Sequence, residues 1–228
     1  MAAQVMCTSC GYRGFESLSS FRRRHLIYHD EHFNGVRLRR LELFERVGSI
    51  GSADVLLVRP KSMRFARLRT ERVARRAIEE PVFEGGYDKP TFYAENPYQI
   101  VPEHCSHALV VAQDCRGVGL LVFERRERRA RYTWRENEAK YVLDIEHAAG
   151  PAWTVVHIWL LPSMRGNHIA SQLLHLAFAG FGVSPDNAAW LSPFTPDGFR
   201  LLRRFAPEAF WAAGDEPPQS HVFPRPFG

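Results

Sequence analysis

With 228 residues, 45% of them hydrophobic, the chain can bury a core, and its 16 Phe, 7 Tyr and 5 Trp exclude a disordered polymer. The longest apolar run, residues 155–162, is interrupted by His157 and falls far short of the ~18 residues that suggest a membrane span. Residues 1–6 lack the layout of a secretory signal, so a cytoplasmic protein with no membrane partner is expected.

Thirty Lys and Arg against 25 Asp and Glu give a formal charge of +5, carried almost wholly by arginine, since only Lys61, Lys89 and Lys140 are lysines. Arginine clusters at 22–24, 37–40 and 125–135 can meet phosphates, which keeps nucleic acid open as a ligand without favouring it. Interleaved Glu124, Glu127 and Glu136 suit a solvated face equally well.

In chain order, residues 1–35 are rich in Cys, His, Ser and Gly and read as a separate small unit, with 36–228 as the main domain. Residues 36–58 alternate as two short strands around the turn 48–51. Pro60 opens a loosely amphipathic helix with Met63, Ala66, Val73, Ala77 and Ile78 on its stripe, ended by Pro81. Residues 82–105, punctuated by Gly85-Gly86, Pro90, Pro97 and Pro102, read as loop. Strand signals follow at 108–113, 118–125, 139–145 and 154–160, with Gly117 and Gly119 suiting the first connection. A helix is predicted over 167–180, then a short strand at Trp190, a Thr195-Pro196-Asp197-Gly198 turn, a short helix and a Pro-rich tail. Hairpins followed by a strand–helix–strand unit predict an α+β fold with a mixed sheet and flanking helices.

Two constellations carry chemistry. Cys7-x2-Cys10, fourteen residues, then His25-x3-His29 is a four-ligand set suited to tetrahedral Zn²⁺. His25 and His29 stand one helical turn apart, and His32 is a spare on the same face. Four protein ligands leave no open position, so such zinc is structural and adds folding energy. A redox C-x-x-C with unrelated histidines is the alternative. The second constellation is Arg165-Gly166-Asn167-His168-Ile169-Ala170, which follows a β-run and opens a helix. Backbone N–H groups at a helix N-terminus suit a pyrophosphate, although a purely structural turn has the same composition.

His157-Ile158-Trp159-Leu160, Met164-Arg165, Ile169-Ala170-Ser171, Ser192 and Thr195-Pro196-Asp197-Gly198 together resemble the Eco1/ESCO cohesin acetyltransferases. Their pattern runs R-I-W-V, R-R-K-K-I-A-S and F-S-D-P-T-P-D-G, behind an N-terminal C-x2-C-G…H-x3-H finger. Cys7, Cys10, Gly11, His25 and His29 match that finger, and the strand 119–124 matches the one that ends in Ala-Glu in the family. The resemblance implies a GNAT-like domain that takes acetyl-CoA and acetylates a lysine of a protein substrate, SMC-like in the family, with nucleoid or chromatin association as a corollary. It further implies that Ile158, Trp159 and Leu160 flank the pantetheine arm. Arg165, Gly166, Asn167, His168, Ile169, Ala170 and Ser171 would hold the pyrophosphate, and Thr195 and Pro196 would complete the site. Gly166 and Asn167 replace basic residues of the family, weakening phosphate attraction, whereas His168 fits its bulky basic position.

Acetyl transfer to lysine needs a neutral amine, whose ordinary pKa is about 10.4, so a base must take the proton while a backbone N–H near Leu160 meets the oxyanion. The family's acidic residues after F-S and midway along the cofactor helix are here Pro193 and His175, and a serine before R-I-W is Val156. Asp197, His175 and Glu124 are therefore the candidate bases, with His157 able to face the cleft. Two other readings stay open: a nucleic-acid-binding finger protein, and an acyl-CoA-binding module without catalysis.

Overall fold

Aliphatic and β-branched residues in short alternating runs build the centre of the molecule, and helices cover them on both sides. The computed structural model describes residues 4–15, 19–79, 106–134, 141–191 and 194–213. Strands β1 (Gln4–Met6) and β2 (Arg13–Phe15) form a small hairpin, followed by α1 (Ser19–Asn34). Then come β3 (Val36–Arg37), β4 (Glu45–Ile50), β5 (Ala53–Val58), α2 (Arg64–Ile78), β6 (His107–Gln113), β7 (Arg116–Trp134) and β8 (Tyr141–Leu160). The described chain ends with α3 (Ile169–Phe181), β9 (Ala189–Leu191), α4 (Pro196–Phe205) and β10 (Ala209–Ala213).

Strands β3 to β10 make one mixed eight-stranded sheet. From β4 to β8 each strand is antiparallel to its neighbour; β9 then joins β8 in parallel and β10 joins β9 in parallel. β10 also returns to pair antiparallel with the far half of β7, from Ala209↔Thr133 to Ala213↔Arg129. The pairings β7–β8, β8–β9, β9–β10 and β10–β7 thus form a closed circuit at one side of the sheet.

Helix α2 covers one face, burying Val73, Ala74 and Ala77, with the Arg76 guanidinium 5.8 Å above the Trp159 ring. Helix α3 covers the other face, where Leu173, Leu174, Ala177 and Phe178 are buried and Phe123 stacks on Phe181. Gly117 and Gly119 allow close approach within β7: a Cβ at Gly117 would meet Val73 at 2.6 Å, and one at Gly119 would meet Leu160 at 2.6 Å.

Charged pairs fasten α1 to this body. Asp30 accepts both guanidinium nitrogens of Arg116, at 3.1 and 3.2 Å, and Glu31 accepts Nε of Arg72 at 2.8 Å. Burial acts to lift the Asp30 carboxyl, but the hydrogen bonds from Arg116 and Asn34 outweigh it and hold the group below its ordinary value. Gly35, at φ +81°, closes α1 so tightly on β7 that a Cβ would lie 2.6 Å from the Gly117 carbonyl oxygen.

The α+β expectation holds in outline, and several boundaries move. Strand β3 pairs with β7 instead of with β5, whose hairpin partner is β4, a strand that continues through Gly48 with a register shift between Arg46 and Gly48. Helix α2 starts at Arg64, because Ser62 accepts the Arg59 N–H and holds residues 59–62 in a turn. The connection between β6 and β7 is made by Asp114 and Cys115, both at positive φ, not by the two glycines. The expected strands 139–145 and 154–160 are one long β8, whose register irregularities absorb the break that Gly150-Pro151 suggests in sequence. The expected loop 82–105, Ser192, Pro193 and the Pro-rich tail lie outside the described residues.

Replacing Gly35 by Ala adds both an unfavourable φ and a backbone clash. It is expected to lower stability by about 2 kcal/mol or more, measured as a shift of the urea midpoint.

Candidate functional site

The defining feature is a strand pair that parts. β8 and β9 share only Thr154↔Ala189 and Val155↔Trp190; beyond those, β9 leaves and the edge of β8 from Val156 to Leu160 carries no β9 partner. At the same place β8 carries an extra residue: Val122 pairs with His157 and Phe123 with Val155, so Val156 is bulged. Such bulges re-aim backbone groups beside sites.

A cleft of about 740 Å³ fills the gap between the parted strands, α3 and α4. Val155, Val156, Trp190 and Leu191 line its inner end, and Ile158, Trp159 and Leu160 line one wall. Its outer end is lined by Arg165, Gly166, His168, Ile169, Ala170 and Ser171, the turn into α3. There Gly166 and His168 take positive φ, of 84° and 57°. The first bond of α3 runs from the Gln172 N–H to the His168 carbonyl, so the N–H groups of residues 169–171 precede any intrahelical acceptor.

The facing wall is the start of α4. Thr195 is its N-cap, Oγ1 accepting the Gly198 N–H at 3.1 Å, and Pro196 occupies the first helical position. The predicted T-P-D-G turn is therefore the opening of a helix, and Thr195 does the capping that the turn would otherwise ask of Asp197. Asp197, the one acid among the described lining residues, pairs with Arg200 at the rim. Arg204 also lines the cleft, with Nη1 3.5 Å from His168 Nδ1, which puts a guanidinium beside the α3 N-terminus. Arg165 bends back instead, donating from Nε to the Leu160 carbonyl at 3.0 Å.

Of the residues expected to hold the cofactor, all but Asn167 line this cleft. The candidate bases separate: Asp197 lines it, whereas Glu124 and His175 do not. Glu124 sits on β7 opposite Thr154, one step from the bulge, and binds the Ser106 hydroxyl at 2.5 Å and Arg126 at 3.1 Å. His175 is exposed on α3 with its ring against Phe205, 5.0 Å between centroids. Arg200, Arg204 and Trp190 went unpredicted. The i, i+4 arginines after T-P-D-G were the readable signal for the first two; Trp190 offered none beyond strand propensity.

A second site lies at the N-terminal hairpin. Cys7, Cys10 and His25 bring their ligand atoms within 4.8 Å of one another, Cys10 Sγ lying 3.5 Å from His25 Nε2. Tetrahedral zinc with ordinary Zn–S and Zn–N bonds sets such a pair about 3.5 Å apart, so these groups fit the ion. Backbone N–H groups of Cys10 and Ser9 pull the Cys7 thiol down to about 6, whereas burial pushes Cys10 up. His29 is one turn on, its ring 5.7 Å from that of His25, and its nitrogens stand outside the three-residue group. His32 Nδ1 is engaged by Arg76 Nη2 at 2.9 Å, which removes it as the spare ligand. Cys10→Ser is expected to abolish bound zinc in elemental analysis and to lower the melting temperature of α1 followed by circular dichroism.

A mixed sheet whose two parallel strands part beside a helix N-terminus defines the GNAT-like acetyltransferase fold. No family model matches the chain, and no curated protein sequence matches it. Among solved structures the chain is similar to the xEco2 acetyltransferase domain bound to a K105-CoA conjugate, at TM-score 0.59 and 18% identity, covering 76% of this chain and 99% of that one. The xEco2 acetyltransferase domain in a second structure gives TM-score 0.56 at 17% identity, covering 76% and 98%. The chain thus has the fold of the xEco2 acetyltransferase domain. Among the described residues, no helix is long and apolar enough to cross a membrane.

Proposed function

We propose that the protein is an acetyl-CoA-dependent N-acetyltransferase acting on a lysine of a protein substrate. The carrying observation is the unpaired edge of β8 leading to the bare N–H groups of α3. The pantetheine arm, itself made of amides, completes the missing ladder along Val156–Leu160, and the pyrophosphate takes the N–H groups at 169–171 with Arg204 beside it. The K105-CoA conjugate held by the xEco2 domain supports a lysine amine as acceptor. The finger resemblance supports an SMC-like substrate over nucleic acid.

In this reading the amine nitrogen attacks the thioester carbon at the inner end of the cleft. The carbonyl oxygen becomes an oxyanion, met by the amide of the Val156 bulge, which is nearer the converging strands than Leu160. The C–S bond then breaks, CoA leaves as the thiolate, and the proton lost by the amine reaches a carboxylate. Two carboxylates stand at the right end or rim, Glu124 and Asp197; His175 faces the wrong way for the role. Bound zinc would hold Cys7, Cys10 and His25 together, with His29 within one turn, and take no part in the transfer.

Calorimetry tests the binding step: acetyl-CoA should bind, and Arg204→Ala should weaken it about tenfold. Glu124→Gln and Asp197→Asn then separate the bases, assayed by release of free CoA thiol with a pool of lysine peptides. The true base should lose about 100-fold in kcat with acetyl-CoA affinity kept; wild-type turnover in both variants defeats the assignment.

A further inference from the structure

Trp190 is a cleft residue that the transfer chemistry above does not use. It is 3% exposed and sits on β9 in register with Val155, the last pair before the strands part. Its ring is wedged between Phe178 of α3 and Phe205 of α4, each 6.5 Å away between centroids. Its indole Nε1 is buried and makes no hydrogen bond among the described residues, so the ring is held by packing alone.

We propose that Trp190 sets the length of the acyl group the cleft accepts, restricting the donor to acetyl-CoA and similarly short thioesters. The proposal rests on the acyl-CoA reading of the cleft. With the pyrophosphate fixed at the turn into α3, the thioester is carried along β8 toward Val155, four ladder steps or about 14 Å in from Leu160 because Val156 is bulged. There the ladder closes and the indole fills the corner. A short acyl group stops against the ring. A longer chain has to displace a buried two-ring side chain packed between two helices, or withdraw the thioester from the bulge. Sequence alone hides this, because an aromatic in a short strand before a loop reads as core.

The test is calorimetric titration of acetyl-CoA and hexanoyl-CoA into the full-length protein and into Trp190→Phe, Trp190→Leu and Trp190→Ala. Wild type is expected to favour acetyl-CoA at least tenfold, and the preference to shrink in the order Phe, Leu, Ala. Because Ala opens a core position, the Phe and Leu variants carry the result if Ala fails to fold. Equal affinity of wild type for both thioesters, or a preference unchanged across the series, overturns the proposal while leaving CoA binding intact. Failure of wild type to bind either thioester or CoA itself overturns the acyl-CoA reading, and this inference with it.

Discussion

The parting of β8 from β9 is the constraint on which the rest depends. Two strands that pair for only two residues leave a row of peptide groups without a ladder partner, a state that folded chains rarely tolerate inside a sheet. Every other feature of the cleft is arranged around that gap. The bulge at Val156 turns the backbone where the ladder ends, Gly166 and His168 accept left-handed geometry to start α3 at the open end, and Thr195 caps α4 to form the opposite wall. A ligand rich in amides and bearing a diphosphate is what such a surface lacks.

Much of this was legible from the chain. The turn at 165–170 could be read as a helix opening because glycine and polar residues stand before a periodic apolar run, but that composition is shared by purely structural turns, and the resemblance to the Eco1/ESCO pattern is what pointed it to a pyrophosphate. The Cys7, Cys10 and His25 group could be read because metal-ligand spacing is rigid chemistry. What could not be read is equally physical. β8 looked like two strands because Gly150-Pro151 is a local break signal, and only the partner strand β7 shows that pairing continues past it. His175 was a base candidate because it stands where the resembled family carries an acid midway along its cofactor helix, while the actual rotation of α3 sets the ring on Phe205. Arg204 depends on how α4 lies across α3, a tertiary fact that no local pattern carries.

The hairpin that carries Cys7 and Cys10 is not a loosely tethered appendage. The helix that carries His25 also carries Asp30, Glu31 and His32, and these reach Arg116, Arg72 and Arg76 of the main body. Arg76 is almost wholly buried, and its guanidinium lies over Trp159, a residue of the cleft wall. A continuous set of contacts therefore runs from the cysteine pair through α2 to the strand that forms the cleft.

The closed circuit of β7, β8, β9 and β10 has one more consequence. Widening the V between β8 and β9 by hinging would require breaking the return ladder of β10 on β7, a five-pair antiparallel seam. The spacing of the two strands at the inner end of the groove is thus tied to the seating of β10 on β7.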